Sequence, residues 1–143
     1  MATWKAGRPD RVGPGLGMAD MKSRRPEQAL HRAVIQYLDA VLPADAWAFH
    51  VPNGGGRTKV EGAILKAMGV RPGIPDICIV WQGRAHWVEL KAGKGRLSDA
   101  QDATAARLAE CGCPPVLLAR SLDDAATCLR VFGIPTRESR RAA

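Results

Sequence analysis

Apolar residues recur along the chain either every three to four positions or in short runs, and these spacings predict its helices and strands. A stripe of apolar positions from Leu30 to Val41 predicts a first helix, which Pro26 opens at a first-turn position. The apolar residues at 77–81 and 87–90 indicate the two arms of a β-hairpin. The remaining predicted segments are, in chain order, a strand at 47–51, a helix at 58–68, a helix between Ser98 and Gly112, a strand at 115–119 and a helix from Ser121 to about Phe132.

The predicted order of elements is therefore α, β, α, β, β, α, β, α, which is typical of an α/β protein. Ser98 and Gln101 have the spacing of a capping box at the start of a helix. A strand, a helix and a second strand between residues 85 and 119 imply a right-handed crossover between two parallel strands. The sequence thus predicts a mixed sheet of about four strands flanked by helices.

Three charged residues interrupt the hairpin, which is the most apolar part of the chain. Asp76 precedes the first arm, and Glu89 and Lys91 lie in the second. A two-residue turn at 82–83 would place Asp76 opposite Glu89, and one at 83–84 would place it opposite Lys91. Either turn gathers the three groups on one face of the sheet, because directly opposed residues share a face, whereas a three-residue turn without a bulge would send Asp76 to the other face. Buried charges are costly unless they pair with each other or hold a metal.

Two neighbouring carboxylates are the hard oxygen ligands that Mg²⁺ or Mn²⁺ prefers, and such an ion keeps positions for water and phosphate oxygens. A bound ion of this kind can activate water and stabilise the charge that grows on a phosphodiester under attack. An adjacent lysine can orient that water or stabilise the same charge. The alternative is a structural ion pair between Glu89 and either Lys91 or Asp76, because a Glu-x-Lys triplet alone is a weak indicator of a site.

Composition and charge divide the chain into three parts. A hydrophobic content of 46% over 143 residues fits one globular domain. Six basic residues against two acidic ones at 1–25, and three against one at 137–143, account for most of the net charge of +7. We expect a flexible basic arm at 1–25, a domain at 26–136 and a basic tail at 137–143. Such ends suit a polyanion such as nucleic acid, or serve only as solvated tails.

The chain lacks features of a membrane or secreted protein. No apolar run approaches the roughly 18 residues of a membrane helix, and the N-terminus has no signal-peptide pattern. We therefore expect a cytoplasmic protein. Cys78 and Cys128 are expected to be core thiols. The Cys111-Gly-Cys113 pair lacks a second pair of ligands, which argues against structural zinc.

The hairpin also carries a resemblance to a known family. "PD", twelve further residues and "ELK" resemble the PD-(D/E)XK nuclease motif, and "HVPNGGGR…GAILKAMGVRPGIPDICIV…HWVELKAGKGRLSDAQ" is similar to its VRR-NUC branch. The resemblance covers residues 27 to about 120. It implies a restriction-endonuclease-like fold, Mg²⁺- or Mn²⁺-dependent hydrolysis of DNA, and a bacterial or phage origin. It implies Asp76, Glu89 and the Leu90 carbonyl as metal ligands and Lys91 as the catalytic lysine.

Other residues match the family pattern less specifically. Glu27 matches a first-helix glutamate that approaches the metal, although the helix dipole alone favours an acid there. Gln101 matches a glutamine that follows the lysine motif; it could instead cap its own helix, and both roles could hold in turn. The glycine loop at 52–57 could bind a phosphate through its backbone or could be a tight turn. The residues expected to contact DNA are His50, Asn53, Gly54, Gly55, Arg57, Lys59, Lys94 and Arg96.

These observations predict a small metal-dependent DNA endonuclease, expected to be a homodimer and to act on DNA that includes branched structures such as Holliday junctions. One alternative is a nuclease without structure preference. Others are a nucleic-acid-binding module without catalysis and a structural protein whose charges merely pair. Intact Asp76, Glu89 and Lys91 argue against a loss of catalysis. His31 and His86 are expected to serve packing or to lie on the surface.

Overall fold

A computed structural model describes the backbone of residues 18–52 and 58–142, and the side chains of residues 26–52, 58–139 and 141. Its helices and strands follow the predicted order, with one additional helix at the C-terminal end. They are α1 Met18–Val41, β1 Ala46–His50, α2 Lys59–Ala67, β2 Ile77–Trp81, β3 Arg84–Leu90, α3 Asp99–Glu110, β4 Leu117–Ala119, α4 Leu122–Phe132 and α5 Arg137–Ala142.

The four strands form one sheet in the order β1-β2-β3-β4. The first two pairs are antiparallel, and β3 and β4 are parallel. Helix α3 makes the crossover between these parallel strands, as a parallel pair requires. The predicted α/β fold with a mixed four-stranded sheet is confirmed.

The hairpin turn consists of Gln82 and Gly83, and both residues have positive φ angles, of 50° and 73°. Two positive φ values are what the most favourable two-residue hairpin turn requires, and glycine adopts them without strain. The resulting register pairs Ile77 with Val88. Asp76 and Glu89, the next residues outward, therefore face each other. This is the first of the two registers considered from the sequence.

The core lies between the sheet and helices α1 and α4. The largest fully buried side chains come from α1, β2 and α4: Val34, Leu38, Ile77, Ile79 and Leu129. Burying each such side chain contributes about 1.5–3 kcal/mol to folding. The thiols of Cys78 and Cys128 are also buried, as expected, and burial raises the pKa of each to about 11.

Two expected boundaries are wrong. Helix α1 begins at Met18, so Pro26 lies inside it and does not open it. The eight preceding residues, MADMKSRR, contain no glycine or proline and include several good helix formers, so the helix extends upstream of the proline. The first 17 residues of the expected arm lie outside the described part of the chain.

At the other end, residues 137–142 form helix α5 where a tail was expected. Thr136 and Ser139 exchange hydrogen bonds between the backbone N–H of each and the hydroxyl of the other, which caps the start of this helix. The Nε–H of Arg137 donates to the carbonyl of Leu42 at 2.7 Å and ties α5 to the end of α1. None of the helices described here combines the length and the apolarity needed to cross a bilayer.

Candidate active site

Asp76 and Glu89 lie beside each other where strands β2 and β3 reach the open end of the hairpin. The Oδ2 atom of Asp76 accepts a hydrogen bond from the N–H of Leu90 at 2.8 Å. Glu89 is only 3% exposed. Burial raises the pKa of Glu89 to about 7, repulsion by Asp76 adds to the rise, and Lys91 opposes it. Two carboxylates in this arrangement are stabilised by a shared proton or by a cation.

Glu89 is held by two donors that meet at one of its oxygens. The Nζ atom of Lys91 lies 3.3 Å from Oε1 of Glu89. The Nε2 amide of Gln101 donates to the same oxygen at 2.6 Å. Asp76, Glu89 and Lys91 thus lie at one end of the hairpin, in the arrangement that the register argument predicts.

Gln101 serves two partners at once. Its Oε1 atom accepts from the backbone N–H of Ser98 at 2.8 Å, and its own N–H donates to the Ser98 hydroxyl, which completes a capping box on α3. Its Nε2 atom is the donor to Glu89. The two roles of Gln101, which the sequence left open as alternatives or as roles held in turn, therefore both have their hydrogen bonds at the same time.

The segment that delivers Asp76 is fixed against helix α3. Gly73 has a φ of +72°, and a Cβ at this position would overlap the backbone carbonyl of Ala100. The Thr104 hydroxyl donates to the carbonyl of Pro72 at 2.7 Å. Only glycine permits this close approach. As a consequence, Asp76 and Gln101 are held in a fixed relation by backbone contacts.

A cleft of about 380 Å³ opens beside Asp76. Glu27 lines it from α1, so the structure brings this glutamate to the same space as Asp76 and Leu90, as the family pattern implies. Glu89 is not among its described lining residues, since its side chain is buried against Lys91 and Gln101. The lining residues of the cleft within the described part of the chain are Glu27, Gln28, His31, Arg32, His50, Asp76 and Leu90.

Two histidines meet Asp76 in this cleft. The rings of His31 and His50 pack edge to face, with their centroids 4.1 Å apart. The Nδ1 atom of His50 lies 2.8 Å from the backbone carbonyl of Asp76. One ligand atom from each of the three residues lies within 4.8 Å of the other two. Burial lowers the pKa of His31, and neighbouring His50 lowers it further, so its neutral form is favoured.

His31 was not predicted to lie at this site, since it was expected to serve packing or to lie on the surface. One signal was present: His31 follows Glu27 by four residues, which puts both on the same side of α1. His86, by contrast, is buried, with its ring 5.0 Å from that of Phe132 and its Nδ1 atom 3.2 Å from the carbonyl of Ile79.

The expected DNA-contacting residues are distributed more widely. Lys59 begins α2, and Lys94 and Arg96 lie in the loop before α3; all three are exposed, and none lines the cleft. The Nη1 atom of Arg120 donates to the carbonyl of Gly93 at 2.7 Å and anchors that loop. The other expected contacts lie outside the described residues: Asn53, Gly54, Gly55 and Arg57.

Comparisons with known proteins agree with this arrangement. A solved structure described as "VRR_NUC domain protein" superposes with a TM-score of 0.61 at 22% identity, covering 75% of this chain and 87% of that one. A second, described as "VRR_NUC domain", has a TM-score of 0.51 at 15% identity, covering 75% and 97%. At these identities the likeness shows the fold. No curated protein matches the chain. The sequence model of the VRR-NUC domain matches residues 22–121, most of the chain, and the chain therefore belongs to the VRR-NUC family of nuclease-type domains.

Proposed function

We propose that this protein is a metal-dependent endonuclease that hydrolyses phosphodiester bonds of DNA, including branched DNA such as Holliday junctions. The observation that carries the proposal is the joint position of Asp76, Glu89 and Lys91 at one end of the hairpin, beside a cleft of about 380 Å³. A structural ion pair between Glu89 and Lys91 does not account for the half-buried carboxylate of Asp76 beside them, since Asp76 repels Glu89. Membership of the VRR-NUC family supports the same chemistry.

The residues at this site fit a hard divalent ion. Asp76, Glu89 and the Leu90 carbonyl would hold it, and Glu27 would approach from the α1 wall of the cleft. The fit rests on the burial of Glu89 and on its repulsion by Asp76, which both raise the pKa of Glu89 and which a dication would offset. When bound, Mg²⁺ or Mn²⁺ supplies an activated water and neutralises charge on the phosphoryl group.

The protein side chains prepare this chemistry by position and charge. Lys91 keeps its ammonium within 3.3 Å of Glu89, and its other N–H groups can donate to a phosphate oxygen as negative charge grows there. Gln101 restrains the Glu89 carboxylate by donating to the same oxygen, Oε1, that Lys91 approaches. His50 contacts the Asp76 backbone and limits movement of that segment.

We also propose that the protein acts as a homodimer. Helix α2 has no buried residues, and Val60, Ile64 and its C-cap residue Met68 form an apolar stripe in which they are 70%, 53% and 75% exposed. Their four-residue spacing puts them on one side of the helix. A contiguous exposed apolar stripe marks a surface that another molecule covers. Two-fold pairing of identical chains supplies the two sites needed for symmetric cleavage of a four-way junction.

The experiment that tests the proposal uses labelled duplex, flap and four-way junction DNA, each with Mg²⁺, Mn²⁺ or EDTA. We expect cleavage in either metal, none in EDTA, and the fastest cleavage on the junction. Equal rates on all three DNAs would indicate a nuclease without structure preference. Binding of all three without cleavage in either metal would contradict the endonuclease and leave a binding module.

A further inference from the structure

Two imidazoles and one carboxylate converge from three separate elements of the fold. His31 comes from α1, His50 from the end of β1, and Asp76 from the residue before β2. One ligand atom of each lies within 4.8 Å of the other two, and no other such group of metal-binding side chains occurs among the described residues. All three line the cleft, so an ion has access to them.

The orientation of His50 is a second, independent observation. Its Nδ1 atom lies 2.8 Å from the Asp76 carbonyl, and since a carbonyl only accepts, Nδ1 carries the proton. The lone pair is then on Nε2. Metal-binding histidines are commonly held in this way, because a hydrogen bond from one ring nitrogen fixes the ring and leaves the other nitrogen for the ion.

We infer that His31, His50 and Asp76 form a binding site for a transition-metal dication such as Mn²⁺, Co²⁺ or Zn²⁺, which Mg²⁺ does not occupy. Imidazole nitrogen suits first-row transition ions, whereas Mg²⁺ is held through oxygen ligands and retained waters. This site goes beyond the proposed nuclease function and shares only Asp76 with its carboxylate pair. Metal binding at this site does not depend on whether the protein cleaves DNA.

The three ligand atoms are slightly farther apart than they would be around a bound ion. At metal–ligand bonds of about 2.1 Å, two donors to one ion lie at most about 4.2 Å apart. The three ligand atoms lie within 4.8 Å of one another. Side-chain shifts of at most roughly 0.6 Å therefore bring them within reach of one ion, and the Asp76 segment and His50 are already joined by a hydrogen bond.

The first test is NMR of the unmodified protein, stripped of metal with EDTA and transferred to chelator-free buffer. Addition of one equivalent of Zn²⁺ should shift the imidazole C–H signals of His31 and His50. The third histidine, His86, is the internal control, because its ring is buried against Phe132. A large excess of Mg²⁺ should not return the Zn²⁺-shifted signals to their metal-free positions, because Mg²⁺ is held through oxygen ligands. Zn²⁺ that shifts neither His31 nor His50, or Mg²⁺ that reverses the shifts of both, would overturn the inference.

The second test uses visible absorption of Co²⁺ in four proteins: the unmodified chain and its His31→Ala, His50→Ala and Glu89→Gln variants. Each histidine variant should weaken Co²⁺ binding at least tenfold, in line with the losses that even outer-sphere changes cause. Glu89→Gln should keep the spectrum. The reverse pattern, with loss only in Glu89→Gln, would assign the ion to the carboxylate pair and refute the histidine site.

Thermal unfolding, together with the NMR test, separates this site from effects on folding, and a cleavage assay separates it from the nuclease proposal. Thermal unfolding of each variant in EDTA shows whether it is folded, and the NMR test on the unmodified chain needs no substitution. If no DNA is cleaved in any metal while the Co²⁺ spectrum depends on both histidines, the nuclease proposal fails and this site stands. If cleavage occurs but the spectrum ignores both histidines, this site fails alone.

Discussion

The side-chain amide of Gln101 lies 2.6 Å from Oε1 of Glu89 while its other end closes the cap of helix α3. The start of α3 and the carboxylate pair are therefore one connected unit. Gly73 adds to this connection, because its backbone packs directly against Ala100 and fixes the segment that leads to Asp76. The positions of both carboxylates depend on how one helix begins.

This relationship predicts different effects for two substitutions in the same capping box. Gln101→Ala removes the bond to Glu89 as well as half of the cap, and should destabilise the fold by about 1 kcal/mol and lower cleavage at least tenfold. Ser98→Ala is the matched control, since it removes the other half of the cap at a similar cost but leaves the Glu89 bond. Cleavage rates and urea unfolding of both variants check this. An equal loss of cleavage in Ser98→Ala would show that Gln101 acts only through helix stability.

The three charged residues of the hairpin should be required for cleavage but not for binding. Asp76→Asn, Glu89→Gln and Lys91→Ala should each lower cleavage by a factor of about 100 or more. DNA affinity in EDTA should be unchanged or higher for the first two, because each removes a charge that repels phosphate. Lys66→Ala, an exposed lysine on α2, is the control for loss of one positive charge. Near-normal turnover in Glu89→Gln would refute its role as a ligand.

Metal-free protein should lose stability as the pH rises through neutrality, because the pKa of Glu89 is raised to about 7. A raised carboxyl pKa contributes stability that is complete below the unfolded value of about 4.3 and is lost as the pH passes the folded value. Glu89→Gln cannot ionise and should be more stable than the unmodified chain by roughly 3–4 kcal/mol at pH 8, with a smaller difference near pH 5.

Urea unfolding in EDTA across this pH range measures the effect. Glu110→Gln is the control, since Glu110 is an exposed carboxylate that pairs with Arg107 at 3.0 Å on the surface. Parallel stability curves for the unmodified protein and Glu89→Gln would contradict the raised pKa. A divalent ion should reduce the difference if it binds the ionised carboxylates, because binding to the folded state alone adds stability.

Much of the hairpin site could be predicted from the sequence because its geometry is local. Once the turn is set at Gln82-Gly83, alternation along the strands fixes which residues share a face. The capping box of Ser98 and Gln101 is local in the same way. In each case the residues lie within a few positions of one another or are joined by a single turn.

The histidine cluster could not be predicted in this way, because it depends on how α1 packs against the sheet. His31 and His50 are 19 positions apart, and no periodic pattern links a helix residue to the end of the next strand. Helix α5 was missed for a different reason. Its cap, Thr136 with Ser139, was present in the sequence, but the basic residues around it resembled a solvated tail.

The dimer proposal predicts that a charge in the α2 stripe separates the subunits. Ile64→Asp places a carboxylate in the centre of the stripe, where desolvation on pairing is unfavourable, and should yield a monomer by light scattering. Val131→Asp is the matched control, because Val131 is 66% exposed on a different helix, α4. Concerted cleavage of both strands should be lost only in Ile64→Asp. An unmodified chain that is monomeric and still cuts both strands together would defeat the proposal.

The last prediction concerns residues 1–17, whose charge suggests that they help to hold DNA. They contain Lys5, Arg8 and Arg11 against one Asp10. Each basic group that neutralises a phosphate steepens the fall of log affinity with log salt by roughly 0.9. If about two of the three contact DNA together, deletion of residues 1–17 should reduce the slope by roughly 1.8. The cleavage rate at saturating DNA should hardly change, because the proposed chemistry depends on Asp76, Glu89 and Lys91.

A full-length variant with Lys5, Arg8 and Arg11 all replaced by Gln separates charge from chain length. It should match the deletion in salt slope, since the electrostatic contribution depends on neutralised phosphates and not on the number of residues. A slope that falls in the deletion but not in this variant would show that charge is not the cause. If the salt slope is unchanged in both proteins, residues 1–17 do not contribute, and the binding surface would instead include the loop before α3, where Lys94 and Arg96 are exposed. Substitution of those two residues should then produce the loss of slope that the N-terminal changes did not.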